Sequence, residues 1–503
     1  MSRTSSLSKN LFYNLGAPLL PFVVAAVSIP MLIRHIGTDR FGLLAIAWMV
    51  IGYFNLFDFG LGRSLTWHIA DCIGAGRESA VGGLIRTALA LMFGFSLIGS
   101  ALIFVFTPEI LHLLKVPAQL GEEARISFYL LGASIPMVIL TSGLRGILEA
   151  YHRFDITNAI RTPQGLWTFI GPLGALPFST HLDVIVAVLV VGRLATTIVY
   201  WLAVRRVIPA ASEGGRLTLS SAKELVSYGG WTTLSNVLSP VMDYMDRFFI
   251  SGVLGVAIVA FYTTPYEFVY RLNIISEGIL GVLFPLTVHR VASDPAAGRQ
   301  MLNLGGKLIA ASVFPVVLVT VLSAHLFLRI WIGPIFEHKS SLVLQLLSIG
   351  LLINSLSKVP SNLIQAHGRS DITAKLHMIE LPVYIFCMLW MLRNWGIDGA
   401  ALSWTLRMLL DLGLLLWVTR KVSDVPALDV WAIGALCAFQ LVVLVGAVFI
   451  GGNYWPVCYG IAALVVFALV FHRYVLLETE RIQLRDLLSR IGWSLFRRRE
   501  DSV

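Results

Sequence analysis

The sequence predicts an all-α integral membrane protein with about 14 transmembrane helices, built as two six-helix lobes plus two extra C-terminal helices. Composition is the first reason. Of the 503 residues, 57% are hydrophobic and 13% are charged, and the mean hydropathy is +0.79. Soluble proteins have roughly 45–50% apolar and about 25% charged residues. The length of the apolar runs and an internal repeat are the second and third reasons.

Apolar runs of spanning length, about 20 residues each, recur along the whole chain between charged or Pro/Gly-containing segments. The first run reaches full spanning length and lacks a small-residue cleavage site, so we expect it to be retained rather than removed as a signal peptide. The connections are too short for a soluble catalytic domain, and we predict no enzymatic activity. The predicted spans are residues 10–33, 41–62, 83–107, 126–151, 156–178, 183–206, 226–251, 257–288, 303–328, 341–366, 372–393, 398–420, 429–450 and 455–473.

Residue counts and motifs exclude several function classes. The sequence contains no HExxH, GxSxG or Walker A motif. The net charge of +9 does not indicate nucleic-acid binding, because the basic residues are scattered between apolar runs. We therefore predict no nucleic-acid partner. The cysteines have neither the pattern of a disulfide framework nor CxxC spacing, so we predict no metal and no cofactor. They are Cys72, Cys387, Cys437 and Cys458.

The distribution of Lys and Arg predicts the orientation, because cytoplasmic connections carry the excess of these residues. Of the 38 basic residues, 26 lie in connections on the side of the N-terminus or in the C-terminal tail, and seven lie on the opposite side. Both termini are therefore predicted to be cytoplasmic. The tail, residues 478–503, places leucines and arginines at helical spacing, which is typical of a basic amphipathic helix on the cytoplasmic leaflet.

An internal repeat divides the chain in two. Residues 148–157 (LEAYHRFDIT) resemble residues 364–373 (IQAHGRSDIT), 216 positions later. Because this offset covers six spans, both copies have the same membrane orientation, as in transporters built from two parallel-related lobes. Weaker pairs at similar offsets are Gly37 with Gly255, Pro21 with Pro240, and Arg193 with Arg407. The predicted boundaries are 1–206 for the N-lobe, 207–225 for a cytoplasmic linker, 226–420 for the C-lobe, 429–473 for the extra helices and 478–503 for the tail.

Seven basic residues in or beside the spans are candidates for binding an anionic substrate. A charge near the bilayer centre costs ~2.5–3.5 kcal/mol, so it requires a partner, a watery cavity or a function. Arginine binds phosphate and carboxylate groups strongly, often through two parallel hydrogen bonds. The candidates are Arg145, Arg161, Arg193, Arg247, Arg271, Lys358 and Arg407. Spacings of four residues predict ion pairs on one helix face, and these are Arg145–Glu149, Glu267–Arg271 and Arg407–Asp411.

Four acids are candidates for binding a coupling cation: Asp243, Asp246, Glu267 and Glu380. Since the sequence has no nucleotide-binding motif, uphill movement would require a proton or sodium gradient or the pull of downstream polymerisation. The two extra helices contain almost no charged residues. They are predicted either to form an apolar groove for a lipid tail or to anchor the basic C-terminal segment.

Several short motifs resemble those of Wzx-type polysaccharide flippases. The resemblance extends over about residues 10–420 and implies the MATE-like fold of the multidrug/oligosaccharidyl-lipid/polysaccharide superfamily. It also implies movement of undecaprenyl-diphosphate-linked oligosaccharide repeat units across the cytoplasmic membrane by alternating access, for O-antigen or other surface polysaccharide synthesis. The motifs are Asn14-Leu15-Gly16, residues 34–43 (RHIGTDRFGL), Gly52-Tyr53-Phe54, residues 58–62 (DFGLG), Asp246-Arg247, Phe261-Tyr262 and Phe284-Pro285.

The same resemblance implies the partners of the protein and leaves two alternatives open. The implied partners are the lipid-linked glycan, membrane lipid, a polysaccharide polymerase and a chain-length regulator. A MATE-type cation-coupled multidrug antiporter has the same fold, although the basic excess in the spans favours an anionic substrate. The two extra helices resemble the lipid II flippase branch of the superfamily, which is the second alternative.

Overall fold

The computed structural model of the protein describes residues 2–54, 60–207, 242, 245–291, 295–367, 369–422, 426–452 and 454–475. Nearly all of the predicted linker, the first part of the predicted span 226–251, Asp243 and the predicted tail lie outside the described residues. The described residues are almost entirely helical, with no strand among them.

In chain order the helices are α1 (Ser2–Tyr53), α2 (Leu61–Gly74), α3 (Glu78–Leu113), α4 (Gly121–Ala150), α5 (Phe154–Ala175), α6 (Leu182–Val207), α7 (245–254), α8 (Val256–Arg271), α9 (Ile274–Val291), α10 (Pro295–Trp331), α11 (Pro334–Ala366), α12 (Ser370–Val422), α13 (Ala427–Val448) and α14 (Trp455–Val470). A short 3-10 turn at Ala118–Leu120 precedes α4, and a turn of π-helix at Phe471–Val475 follows α14.

Two glycines break the longest helices where the sequence predicts connections between spans. Gly37 in α1 has φ +78°, and Gly396 in α12 has φ +60°. This left-handed region of backbone conformation is open to glycine because glycine has no Cβ. Helix α12 therefore contains two of the predicted spans, and α1 contains the span 10–33 and the first part of the span 41–62. Both breaks fall in the predicted connections.

Two predicted spans are interrupted in the structure. The span 257–288 is divided into α8 and α9 at Leu272 and Asn273, where the backbone forms hydrogen bonds between residues three apart. The break places Asn273 Oδ1 3.1 Å from the Nζ of Lys358 in α11. The apolar pattern alone did not predict this interruption, which occurs where Asn273 contacts a lysine of a neighbouring helix. Within the span 41–62, α1 ends at Tyr53, and a separate helix, α2, begins at Leu61.

The two repeat segments have the same local structure. In the first, the N–H of Arg153 donates to the carbonyl of Leu148, and its Nε donates to Asp155 Oδ1 at 3.0 Å. In the second, the N–H of Arg369 donates to the carbonyl of Ile364, and its Nε donates to Asp371 Oδ1 at 3.1 Å. In both, the arginine lowers the pKa of the carboxyl group by hydrogen bonding. The matching bonds support the predicted repeat, while the lobe boundaries remain a prediction.

The two extra helices pack on the second half of the chain. Gln440 of α13 donates to the carbonyl of Ala310 in α10 at 3.2 Å. The rings of Phe467 in α14 and Phe314 in α10 lie 4.5 Å apart. Both helices therefore cover the same neighbour, α10.

Apolar surface confirms the membrane assignment. Seven helices in the described part are long and apolar enough to cross a bilayer. Large apolar side chains on these and neighbouring helices are highly exposed, among them Val105, Phe386 and Val442. Exposure on this scale is unfavourable in water but suits lipid. The all-α membrane fold predicted from composition is thus confirmed.

The two halves of the chain contact each other at the helix ends that are predicted to face outward. Gly42 in α1 lies directly against the backbone of Val256, where any Cβ would overlap the Val256 carbonyl oxygen. Ser251 Oγ donates to the carbonyl of Leu114 at 2.6 Å, and Lys115 Nζ donates to the carbonyl of Val253 at 2.8 Å. We refer to these contacts as the outer contact.

Candidate functional site

A group of charged side chains lies on α7 and α8, where the sequence predicted a functional Asp-Arg pair. The side chains of Asp246 and Arg247 are almost fully buried, with 0% and 1% exposed. Asp246 accepts a hydrogen bond from the Tyr262 hydroxyl at 2.6 Å and one from the Arg247 N–H at 2.7 Å. The guanidinium of Arg247 also lies 4.4 Å from the centre of the Tyr266 ring. This aspartate is therefore well supplied with donors.

Glu267 connects two arginines of this region. Its carboxylate lies 2.6 Å from Arg271 Nη1 and 3.4 Å from Arg247 Nη2, so the predicted Glu267–Arg271 pair is confirmed. The Arg271 guanidinium lies over the ring of Phe169 in α5, 4.9 Å from its centre. We name Arg247, Glu267 and Arg271 the interlobe cluster, because it joins the second half of the chain to the first.

An arginine of the first half faces a small cavity near the interlobe cluster. Arg193 of α6 forms no ion pair with any residue that the structure describes, and it borders a small pocket of about 10 Å³, room for about one water molecule. Trp48 in the cavity wall has its ring 5.3 Å from the ring of Phe169, the aromatic residue on which Arg271 stacks. Two predicted substrate-binding arginines thus flank one aromatic pair. The cavity is lined by Trp48, Ile51, Gln164, Trp167, Thr168, Leu189, Gly192 and Arg193.

Two further predicted arginines lie together near the start of α5. Arg145 pairs with Glu149 at 3.5 Å, which confirms the second predicted ion pair. Arg145, Glu149 and the exposed Arg161 all lie close enough to the Tyr200 hydroxyl to act on it electrostatically. They form a second basic region, closer to the predicted cytoplasmic side than the interlobe cluster.

Lys358 of α11 is held by α9 and the turn before it. Its Nζ lies 3.1 Å from Asn273 Oδ1 and 3.3 Å from Glu277 Oε1. The sequence identified the lysine but not these partners, which come from a different helix.

The third predicted ion pair, Arg407–Asp411, is not formed. Arg407 Nη1 donates to the carbonyl of Met242 at 3.3 Å, and its guanidinium lies 5.3 Å from the centre of the Tyr384 ring. Asp411 instead lies 3.7 Å from the imidazole Nε2 of His377. Residues four apart share a helix face, but here partners on neighbouring segments compete successfully for both groups.

His377, Glu380 and Asp411 form a compact group, which we name the acid–histidine cluster. One ligand atom from each lies within 4.8 Å of the other two. Glu380 is only 1% exposed, and neither of its carboxylate oxygens accepts a hydrogen bond from any described residue. Such a group can take up positive charge, as a proton or a small cation. His377 was missed by the sequence reasoning, although its position one helical turn before Glu380 was a usable signal.

An ion pair joins α1, just after its break at Gly37, to the predicted outer end of α4. Arg40 donates two hydrogen bonds to Glu123, at 2.7 and 2.8 Å, and the backbone N–H of Leu182 donates a third at 3.0 Å. The hydrogen bond from Arg40 is the main reason why the pKa of Glu123 lies below its ordinary value. The same bond raises the pKa of Arg40.

Comparison with known proteins gives the family. The family described as polysaccharide biosynthesis protein matches residues 7–289, more than half of the chain. The chain belongs to this family. It is also 32% identical to a "Putative O-antigen transporter" of Shigella flexneri, over 84% of this chain and 99% of that protein.

Solved structures show the fold of this family member. The lipid II flippase MurJ, in an inward closed conformation, aligns with a TM-score of 0.69 and 14% identity, over 93% of this chain and 98% of that one. A multidrug resistance MATE family transporter of the MOP superfamily, in an inward-facing conformation, aligns with a TM-score of 0.64 and 14% identity, over 85% and 98%. The MATE-like fold predicted from the sequence is confirmed.

Proposed function

We propose that the protein moves undecaprenyl-diphosphate-linked oligosaccharide repeat units across the cytoplasmic membrane, for synthesis of O-antigen or another surface polysaccharide. The observation that carries this proposal is the similarity to a putative O-antigen transporter over nearly the whole length of that relative. Transport, rather than catalysis, is the role. The protein would act in the inner membrane with both termini in the cytoplasm, beside a polysaccharide polymerase and a chain-length regulator.

The arrangement of the cationic residues supports an anionic head group. Arg193 and Arg271 flank the Trp48–Phe169 aromatic pair where the two halves meet. A diphosphate carries the oxygen acceptors that guanidinium groups bind best. The undecaprenyl chain would remain in the bilayer, since an apolar tail gains nothing from a charged cavity. The predicted ligand-binding set is Arg145, Arg161, Arg193, Arg247, Arg271, Lys358 and Arg407.

Alternating access would open and close the outer contact. In the structure the backbones of α1 and α8 meet at Gly42 and Val256 without an intervening side chain. Because this contact between backbones involves few hydrogen bonds, few must break when the outer contact opens. The two lobes, 1–206 and 226–420, would then rock against each other as rigid bodies.

Energy would come from an ion gradient. MATE transporters share the fold, and the second half of the chain contains buried acids that are able to bind a cation, with a proton or sodium as the coupling ion. Asp243, one of the four acids proposed for this role, lies outside the described residues.

The test is to delete the gene and identify the lipid-linked intermediate that accumulates. We expect an undecaprenyl-diphosphate-linked oligosaccharide to accumulate and surface polysaccharide to be lost, with both restored by the wild-type gene. Arg193→Ala, at matched expression, should restore neither, while Arg125→Ala, at an exposed outer position, should restore both. Accumulation of lipid II, or drug hypersensitivity with normal polysaccharide, would contradict the proposal.

A further inference from the structure

The acids proposed for ion coupling differ in how their charge is compensated. Asp246 accepts hydrogen bonds from the Tyr262 hydroxyl and the Arg247 N–H. Glu267 pairs with Arg271 and Arg247. Of the acids in the set that the structure describes, this leaves Glu380, to which no described residue donates a hydrogen bond or lends an ion pair.

Burial makes an ionised Glu380 costly. The side chain is 1% exposed, and both of its oxygens lack a hydrogen-bond donor among the described residues. An ionised carboxylate removed from water without a partner loses far more hydration energy than a neutral carboxylic acid does. Asp411, whose carboxylate also belongs to the acid–histidine cluster, adds a like charge nearby. Two close carboxylates with too few donors characteristically share a proton.

The other charged groups around Glu380 do not remove this cost. Arg407 acts on Glu380 electrostatically, but it donates to the Met242 carbonyl and lies over the Tyr384 ring. The imidazole Nε2 of His377 lies 3.7 Å from Asp411, and one nitrogen of the ring lies within 4.8 Å of a Glu380 carboxylate oxygen. Imidazole is a poor ligand for a hard alkali cation such as sodium but exchanges protons readily. The composition of the cluster therefore favours a proton over sodium.

We propose that the acid–histidine cluster is a proton-binding site, in which Glu380 holds a proton that it exchanges with water through His377 and Asp411 during transport. A hydronium ion gives its proton to a Glu380 carboxylate oxygen, and the proton is later returned to a water molecule, so one O–H bond breaks for each O–H bond that forms. The coupling part of this proposal rests on the proposed function, whereas proton binding itself does not.

The surroundings of Glu380 connect a change of its charge to movement. A negative charge on Glu380 would attract Arg407 away from the Met242 carbonyl and the Tyr384 ring. Pro382, two residues after Glu380 in α12, removes one backbone hydrogen bond of the helix. The first part of α12 is thereby easier to bend. Uptake and release of one proton would therefore change the electrostatic attraction on Arg407 and the bend of the helix that carries Glu380.

Infrared spectroscopy of the full-length protein in lipid nanodiscs tests proton binding directly. A buried carboxylic acid with few hydrogen bonds has a carbonyl band that a carboxylate lacks. We expect wild-type protein to retain this band at neutral pH, and Glu380→Gln to lose it. Glu122→Gln, which removes an exposed outer glutamate, should retain it. If Glu380→Gln does not fold, labelling glutamate with carbon-13 in the wild-type protein should shift the band.

Two further measurements, and one outcome of the infrared experiment, decide the proposal. His377→Gln should slow the exchange of the proton with water while the band remains. Replacing choline with sodium at constant pH should leave the band unchanged, and its disappearance would overturn the proposal in favour of a sodium site. A band that persists in Glu380→Gln would also overturn it.

Transport measurements separate this proposal from the proposed function. The pH dependence of polysaccharide export should be lost in Glu380→Gln, and export at the wild-type level at every pH would overturn the coupling role. If the protein moves no lipid-linked glycan but the band behaves as expected, the proposed function is wrong and the proton site stands.

Discussion

Gly42→Ala should open the outer contact. A Cβ at this position would overlap the carbonyl oxygen of Val256 and lie 3.1 Å from the carbonyl carbon. Backbone atoms cannot rotate away as a flexible side chain does, so α1 and α8 must separate. Overpacking a close contact typically costs ~1–3 kcal/mol. Since ~1.4 kcal/mol is a factor of ten, the ratio of closed to open protein should fall about 5- to 150-fold.

A cysteine at Thr263 reports the opening. Thr263 is 1% exposed, and its hydroxyl has no hydrogen-bond partner among the described residues, so Thr263→Cys removes no bond. It lies seven residues after Val256, on the same face of α8, below the outer contact. The native cysteines are first replaced by serine or alanine. A membrane-impermeant maleimide added from outside should then label the cysteine introduced by Thr263→Cys faster in protein that also carries Gly42→Ala than in protein that does not.

Gly52→Ala is the matched control. Gly52 also lies in α1, but a Cβ there would meet no atom within 4 Å. Both substitutions gain about the same helix propensity, up to ~1 kcal/mol, so their difference isolates the clash. Equal labelling rates in Gly42→Ala, Gly52→Ala and the parent protein would refute the reasoning, since the backbones would not be as close as the structure shows.

Three other predictions concern charge and packing. Arg193→Ala should reduce export at least tenfold while Arg193→Lys retains part of it, because lysine keeps the charge but not the paired donors; equal rates, by surface polysaccharide quantification, would contradict a binding role. Glu123 has a lowered pKa in the folded protein. The stabilisation it provides is therefore present above its unfolded pKa and lost as the pH falls through its folded pKa. The melting temperature of the wild-type protein should fall in acid, and that of Glu123→Gln should fall less. Gln440→Leu removes a hydrogen bond between α13 and α10 but also a buried polar group, so the free energy of unfolding should change by no more than about 1 kcal/mol. Gln440→Ala should be more destabilising in a thermal-unfolding assay.

The helices could be predicted from the sequence because lipid imposes a simple rule. A bilayer requires apolar runs of about 20 residues, and the breaks at Gly37 and Gly396 fall between such runs. The interruption at Asn273 could not be predicted in this way. It depends on a partner, Lys358, that is distant in sequence, and hydropathy contains no information about partners.

The candidate site was predictable in its residue types but not in its pairings. Spacing of four residues correctly predicted Arg145–Glu149 and Glu267–Arg271, because both members lie on one helix. It failed for Arg407, where a carbonyl and an aromatic ring on other segments provide the contacts. A charged side chain has several possible partners within reach. Helix packing decides which of them it contacts, and the sequence of one helix does not determine that packing.

The sidedness of the lipid-linked oligosaccharide is the most direct test of the central claim. Spheroplasts can be treated with a membrane-impermeant glycosidase or oxidant that reaches only the outer leaflet, in a strain lacking the downstream polymerase. With the wild-type protein, we expect lipid-linked repeat units to be modified from outside; without it, or with Arg193→Ala at equal expression, they should be protected until the membrane is permeabilised. Equal modification with and without the protein would contradict the claim that it moves these molecules across the membrane.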